Sequence, residues 1–369
     1  MTKGLSLVTA KLERFIGSAS GIANYIGLGF LLIMPLPVFF DVIARFSFKG
    51  SIPGVIEIEG FILLIIVFLG IAFIQFNEGH IRIGFIVSRF PKWIQNLLDC
   101  FHYLICALFF GMMSSQLLMQ GIKKMQDSVI TYELEIPVWI FWFVGAIGVI
   151  ILAFVVALDF LRALQRSLED KRWPWLILAL AAACFLLVAP LAGLAPTTLS
   201  GATAGVLGMC FRFFLLLLGM PIGFGMALTG LFGMIVAYKA VLPSLAMLGI
   251  GPFDTASSYM LTVVPLFILM GEFAYHSGIS EDLFETANKW LGRLPGGLAM
   301  SSVAGCTGFS AVCGDSLATA VTMGTVALPG MRKHKYDMSL ATGCLAAGGT
   351  MGILIPPSVG FIFYAIVTE

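Results

Sequence analysis

The sequence predicts an all-α integral membrane protein, a polytopic helical bundle interrupted by a re-entrant helical hairpin and a broken helix. Three observations predict it. Of 369 residues, 59% are hydrophobic and only 11% charged, with a mean hydropathy of +1.00, whereas soluble domains run about 25% charged. Eight apolar runs are long enough to approach a ~30 Å hydrocarbon core. Two polar, helix-breaking stretches, Ser310-Ala311-Val312-Cys313-Gly314-Asp315-Ser316 and Gly348-Gly349-Thr350-Met351-Gly352-Ile353-Leu354-Ile355-Pro356-Pro357-Ser358, sit inside otherwise apolar sequence. Unpaired backbone is costly in lipid, so broken helices persist there only under protein or beside a water-filled cavity, where transporters place their sites.

The runs fall at 20–44, 57–75, 99–121, 137–161, 174–194, 203–220, 222–240 and 256–275. Residues 1–18 are amphipathic and carry Lys3, Lys11, Glu13 and Arg14; no A-x-A cleavage site follows, so a removable signal is not expected. Residues 78–98 mix Arg82, Arg89 and Lys92 with Ile, Phe and Trp, as suits a helix lying at the interface. The longest charged stretch, 162–173, marks a boundary, and Trp173-Pro174-Trp175 behind it suits an interfacial aromatic belt. The charged stretch divides the chain into a part with four apolar runs (1–161), the charged linker with a fifth run (162–200) and a part carrying both polar interruptions (201–369).

Charge sets the expected orientation. With a cytoplasmic N-terminus and alternating runs, the cytoplasmic side holds Lys3, Lys11, Arg14, Arg82, Arg89, Lys92, Arg162, Arg166, Lys171, Arg172, Lys289, Arg293, Arg332, Lys333 and Lys335, which is 15 of the 21 cations. Lys49, Lys123, Lys124 and Lys239 fall opposite; Arg45 and Arg212 lie within or at the ends of spans. Fifteen against four favours this orientation. It requires residues 298–330 to enter and leave by the same face.

Length agrees with re-entry. The arms about the Cys313-Gly314-Asp315-Ser316 tip, 298–311 and 317–329, would each reach only ~20 Å as helix. Gly305, Gly308, Ala318, Ala320 and Gly324 allow close approach. The alternative is one kinked span, which the charge distribution disfavours.

Both interruptions offer oxygen ligands. At the tip these are Ser310, Asp315, Ser316 and the carbonyls of Val312 and Cys313. In the second stretch, prolines and glycines free carbonyls between Thr350 and Ile355. Unwound carbonyls with half-helix C-terminal ends suit a hard cation such as sodium. The helix restarting after Pro356-Pro357 suits an anionic carboxylate at its N-terminal amides. Asp315, Ser316, Pro357 and Ser358 are therefore candidate substrate contacts.

Other residues fit blander roles. Asp41 and Arg45 are spaced to pair on one helix. Glu57 and Glu59 open the second span, where helix–helix or subunit contacts compete with a transport role. Glu272 closes the eighth span and reads as structural. The seven cysteines (100, 106, 184, 210, 306, 313, 344) have no metal-ligand spacing and read as buried thiols. A net charge of +1 argues against a nucleic-acid partner. Gly314-Asp315-Ser316-Leu317 spells a soluble-hydrolase motif, and Tyr336-Asp337 with Gly314-Asp315 has intramembrane aspartyl-protease elements in reversed order. Neither has the surrounding structure its chemistry needs, so no enzyme is expected.

Residues 201–369 resemble the large membrane subunit of tripartite ATP-independent periplasmic (TRAP) transporters. The resemblance lies in Leu218-Gly219-Met220-Pro221-Ile222-Gly223-Phe224, Val264-Pro265-Leu266-Phe267-Ile268-Leu269-Met270-Gly271-Glu272 and Gly292-Arg293-Leu294-Pro295-Gly296-Gly297-Leu298. The hairpin tip, Lys335-Tyr336-Asp337 and Gly352-Ile353-Leu354-Ile355-Pro356-Pro357-Ser358 follow in the same order. Residues 1–161 resemble the small subunit through Asp41-Val42-x-x-Arg45-Phe46, Glu59 and Gly79-His80-Ile81-Arg82. A divalent-anion/sodium symporter is the competing carrier architecture; the four N-terminal spans and the 292–298 motif speak against it.

The resemblance implies a four-helix scaffold (1–161) fused through a connecting span (162–200) to a transport region (201–369), the first half of an inverted-repeat elevator transporter. It also implies sodium-driven import of an organic acid anion (carboxylate or sulfonate) across a bacterial inner membrane. The anion would be delivered by a periplasmic substrate-binding protein. By motif position it points sodium (Na+) to Ser310, Cys313, Gly314, Asp315, Ser316, Gly349, Gly352, Ile355 and Pro356, mostly through carbonyls. Cys313 and Asp315 depart from the family, which often has serine and a small neutral residue there. A carboxylate at the tip could strengthen cation binding, couple a proton or repel an anionic substrate. The second repeat of the family is expected to come from a longer chain or a second polypeptide. Residues 1–369 alone are expected not to transport, with a non-transporting scaffold or half-transporter as the alternative.

Overall fold

A computed structural model describes residues 2–169, 173–194 and 201–368. It is all-α, with no strand among the described residues; one isolated antiparallel bridge joins Ile130 and Pro137. Among the described residues, seven segments are long and apolar enough to cross a membrane: Thr9–Phe48, Val55–Phe76, Lys92–Gln126, Trp139–Glu169, Trp173–Ala192, Tyr259–His276 and Met338–Ile366. Asp170, Lys171 and Arg172 of the charged stretch, the Lys3 side chain and residues 195–200 lie outside the described residues.

Contacts divide the chain at Ser258/Tyr259. The first unit contains α1 (Thr2–Ile33), α2 (Pro35–Phe48), α3 (Val55–Phe76), α4 (Lys92–Gln126), α5 (Trp139–Glu169), α6 (Trp173–Ala189), α7 (Gly201–Leu217), α8 (Ile222–Tyr238) and α9 (Val241–Ala256). Pro35 stands at the first position of α2, where a missing amide costs least, so the first predicted run is a helix pair with Met34 fully buried at the junction. α4 packs along α5, and α3 lies against α1 and α5. At Gly148 a side chain would run into the Phe68 carbonyl, so glycine sets how closely α5 approaches α3.

Three differences from the sequence reading follow from packing. α9 was not anticipated as an element; it is 16 residues long, contains Pro252, and buries Leu248 and Phe253 against α3, α4 and α8. Trp142 stacks on Phe253 at 3.9 Å. α7 and α8 have 17 residues each, fewer than the ~20 a full crossing needs. Residues 201–258 also pack with the preceding helices, so the compact units differ from the domain division read from sequence. Part of this joint is the first portion of the 78–98 segment, expected to be an interfacial helix. Residues 78–91 are instead turns and loop with one short 3-10 stretch at Val87–Arg89, and α4 takes over from Lys92. The Ile81 carbonyl accepts the Ile222 amide at 3.2 Å, and the His80 ring meets Phe224 at 4.9 Å.

The polar residues of this unit mostly hold helix ends. Asp41 pairs with Arg45 at 2.7 Å, as their spacing predicts, and also accepts the Ile52 amide. Glu57 accepts the amides of Glu133 and Leu134, pinning the 128–138 loop. Glu59 is fully buried and neither carboxyl oxygen has a hydrogen-bond partner. Gln75 donates to Asp159 at 2.7 Å inside the bundle, and Arg162 links Asp159 to Glu13. Cysteines 100, 106, 306 and 313 are buried as expected, but Cys184 and Cys210 are exposed on helix faces and Cys344 is half-buried.

The second unit contains α10 (Val263–His276), α11 (Ile279–Leu291), α12 (Gly297–Cys313), α13 (Ser316–Lys333), α14 (Met338–Gly349), α15 (Met351–Leu354) and α16 (Val359–Thr368). α12 and α13 form an antiparallel hairpin. Gly305 and Met323, on opposite sides of the break, are in contact, and further from it Ser302 meets Met331. The arms are 17 and 18 residues, longer than the sequence reading gave them. Phe309, Cys306, Met323 and Leu345 form the core between the hairpin and α14. Glu272, read from sequence as structural, lies exposed, 3.9 Å from His276.

Candidate functional site

The hairpin tip turns because of two adjacent residues. Gly314 caps α12 in the left-handed conformation (φ +65°), its amide returning to the Ser310 carbonyl at 2.8 Å. An L side chain is disfavoured at this φ, and a Cβ there would collide with Phe267. Asp315 is extended (φ −123°, ψ 135°), and its carboxylate accepts the Ala318 amide at 2.7 Å, capping α13. Because the chain changes direction here, the carbonyls of Val312 and Cys313 lose the amides that a continuing helix would supply. The Asp315 carbonyl, by contrast, is occupied by the amide (3.1 Å) and hydroxyl (2.7 Å) of Thr319.

The second break is narrower than 349–358. Gly349 closes α14, Thr350 keeps helical dihedrals, and α15 runs to Leu354, so the opening is confined to 355–358. The carbonyls of Thr350 and Met351 accept the Ile353 and Ile355 amides. Pro356 and Pro357 have no N–H to give the carbonyls of Gly352 and Ile353. Ser358, 1% exposed, donates its hydroxyl to Ile353 at 2.7 Å, leaving the Gly352 carbonyl without its helical partner. The carbonyls of Ile355 and Pro356 accept no hydrogen bond among the described residues.

Tip and break are brought together. The Val359 amide donates to the Gly314 carbonyl at 3.1 Å. A Cβ on Gly352 would lie 2.5 Å from the Asp315 carbonyl, and one on Gly349 would lie 2.6 Å from the Ala320 methyl. The glycines of this stretch thus serve close packing as much as unwinding. Of the residues singled out by sequence, Ser310, Cys313, Gly314, Gly349, Gly352 and Ser358 are buried, and Asp315, Ser316 and Ile355 are half-buried. Pro356 and Pro357 are exposed, although the Pro357 carbonyl would lie 2.7 Å from a Cβ on Gly314. The amides expected to receive a carboxylate are partly committed, Val359 to Gly314 and Phe361 to the Ser358 hydroxyl at 3.3 Å.

Ser310 is 0% exposed, and its hydroxyl has no hydrogen-bond partner. An orphaned buried hydroxyl costs about 1–3 kcal/mol. It lies one turn below Gly314, on the strand of chain whose last carbonyls are released. Two residues that the sequence reading did not assign to the site pack on the tip: Phe267 beside Gly314, and Gly271, where a Cβ would lie 3.0 Å from the Cys313 sulfur. Both belong to the 264–272 motif, whose proline and glycine were the available signal. No group of three or more His, Cys, Asp or Glu suited to a metal occurs among the described residues. The donors here are carbonyls and hydroxyls, a set for a hard cation rather than a transition metal.

Residues 209–369 match the DctM component of tripartite ATP-independent periplasmic transporters, and residues 34–166 match the DctQ component. The isethionate TRAP transporter permease protein DctMQ of Oleidesulfovibrio alaskensis is 26% identical over 350 residues, covering 92% of this chain and 52% of that protein. The C4-dicarboxylate large permease DctM of Pseudomonas aeruginosa is 38% identical over 126 residues, 34% of this chain and 30% of that protein. The ectoine large permease TeaC of Halomonas elongata is 32% identical over 159 residues, 42% and 36% of the two chains. The chain spans about half the length of the DctMQ relative and about a third of the DctM-type relatives it matches. Helices fit to cross a membrane, a DctQ match followed by a DctM match, and a single alignment along 52% of a fused permease make the chain a multi-pass member of the TRAP transporter permease family.

Proposed function

We propose that the chain is the membrane part of a sodium-coupled secondary importer of an organic acid anion in a bacterial inner membrane. A periplasmic substrate-binding protein hands over the anion. The reading is carried by the Ser310 hydroxyl, buried and unpartnered below a tip that releases the Val312 and Cys313 carbonyls. The broken helix adds the carbonyls of Gly352, Ile355 and Pro356. Asp315 contributes its carboxylate as the cap of α13, with one oxygen directed to the Ala318 amide. Gly314, Ser316 and Gly349 shape the contact between tip and break. Ser316, Pro357 and Ser358, with Asp315, border the place where a carboxylate or sulfonate would meet the restarting helix.

The relatives' substrates favour small organic acids and zwitterions: C4-dicarboxylates, isethionate and ectoine. The hairpin enters and leaves by one face of the membrane, and the N-terminus is cytoplasmic; the fifteen-to-four distribution of cations supports both. The unit beginning at Tyr259 is the moving part, and the helices before it are the scaffold.

The test is uptake into proteoliposomes by the natural chain with its binding protein. Labelled C4-dicarboxylate and isethionate are each supplied under an inward sodium gradient, with potassium at equal ionic strength as control. Sodium-dependent accumulation of either is expected. Accumulation indifferent to sodium would sink the coupling, and none with either acid would favour the scaffold reading.

A further inference from the structure

Arg212 lies within α7 and Lys239 at the left-handed end of α8. Neither is paired with a carboxylate among the described residues, and the Arg212 Nε is shielded from solvent without a hydrogen-bond partner. An arginine within an apolar helix of a membrane protein is costly unless a counter-charge or a polar cavity meets it. Here both cations line one cavity of about 720 Å³ between α7 and α8. Side chains on a helix lean toward its N-terminus, so Arg212 is directed along α7 toward Gly201, the end at which α8 finishes with Lys239. The cavity's wall at Gly205, Gly208 and Gly233 is bare of side chains.

The same cavity continues into a second, of about 600 Å³, lined by Phe185, Leu207, Phe211 and Phe232 from α6, α7 and α8. The two share Ala204, Gly208, Thr229, Gly233 and Val236 and so form one groove, cationic at one end and hydrocarbon-like along the other. A small aqueous anion would satisfy the cations and leave the apolar length unfilled. An uncharged lipid would fill the apolar length and leave the cations unpaired. One molecule satisfies both parts: an amphiphile with an anionic phosphate and an acyl chain.

We infer that this groove is a binding site for an anionic phospholipid. The phosphate sits between Arg212 and Lys239, and an acyl chain lies along Phe185, Phe211 and Phe232. The site is independent of the hairpin chemistry and asks nothing of the sodium reading.

Native mass spectrometry of the natural chain tests it, with phosphatidylglycerol and phosphatidylcholine of matched chains and with inorganic phosphate as the free-anion probe. The wild type is expected to retain one phosphatidylglycerol in preference to phosphatidylcholine. Arg212→Gln with Lys239→Gln should weaken retention about ten-fold or more, since each basic residue contributes on the order of 1 kcal/mol toward an anionic lipid. Lys239→Gln alone, at an exposed position, should give a partial loss with an unaltered fold. Val236→Trp, which fills the groove and keeps both charges, should abolish retention. Equal retention of the two lipids overturns the assignment. So does retention unchanged in the double variant, the outcome if another helix or a second copy covers the groove. Displacement by millimolar phosphate would also overturn it, because the site would then belong to a free anion.

Discussion

The Val359 amide donates a hydrogen bond of 3.1 Å to the Gly314 carbonyl, joining the restart of the broken helix to the tip of the hairpin. Each partner is available because of a local break. Gly314 leaves α12 in a left-handed conformation, and Val359 begins a helix whose preceding turn is interrupted by two prolines. The bond holds two regions about forty-five residues apart in register.

Gly352→Ala tests how close that register is. The added methyl would lie 2.5 Å from the Asp315 carbonyl, a backbone atom that cannot swing away. The expected cost is about 2 kcal/mol, as for overpacking elsewhere, read as a lower thermal midpoint in nanodiscs. A midpoint equal to wild type would show that α15 does not rest on the tip.

Asp315 has two separable roles. Asp315→Asn keeps an acceptor for the Ala318 amide, so its stability should stay near wild type, whereas Asp315→Ala should lose about 1 kcal/mol with the cap. If the negative charge also serves a cation, the Asn variant will lose sodium stabilisation without losing basal stability. Equal stability of the Asn and Ala variants would remove the capping role.

In the scaffold, Asp159 accepts from the buried Gln75 and from Arg162. Asp159→Ala leaves Gln75 without its acceptor, whereas Arg162 keeps Glu13. Arg162 is partly exposed and recovers some hydration, so the expected loss is about 2–3 kcal/mol rather than the full cost of a buried unpaired charge. Asp159→Asn should cost less. A negligible change in the denaturation midpoint of the Ala variant would contradict the network's structural role.

His80 links the segment after α3 to Phe224 of α8. Burial, and next the Arg82 charge, hold its pKa below 6.5. The folded protein therefore prefers neutral His80. The associated stability is fully present above pH 6.5 and is lost as pH falls through the lowered folded-state value. The thermal midpoint should decline on acidification below pH 6.5, and His80→Gln should flatten that decline. An identical pH profile in the variant would exclude His80 as its source.

Much of this architecture was legible in the sequence because helix punctuation is local. Gly314-Asp315 supplies a left-handed end and a capping acid, and the hairpin break falls there. Pro356-Pro357 removes two amides, and the second break falls there. Gly348-Gly349 looked equally disruptive, yet Gly349 packs on Ala320 and Gly348 on Cys306, so the helix continues nearly unbroken. A glycine used for close approach cannot be told from one used for unwinding without its neighbour. α9 was missed because Pro243, Pro252 and its glycines mask a 16-residue helix that long-range burial against α3 and α4 stabilises. For the same reason the burial of Glu59 and the division at Ser258 were invisible: both depend on which helices pack together.

The most direct measurement is thermal unfolding of the natural chain in nanodiscs, with sodium replaced by potassium at constant ionic strength, for wild type and Ser310→Ala. The account predicts a midpoint that rises with sodium in the wild type, by linkage up to about 2.7 kcal/mol of stabilisation at a hundred-fold excess over Kd. In Ser310→Ala the sodium-dependent rise should be largely lost while stability in potassium stays equal or improves, because an unpartnered buried hydroxyl has been removed. A wild type indifferent to sodium, or a variant that responds as the wild type does, would contradict the placement of the cation at the hairpin tip.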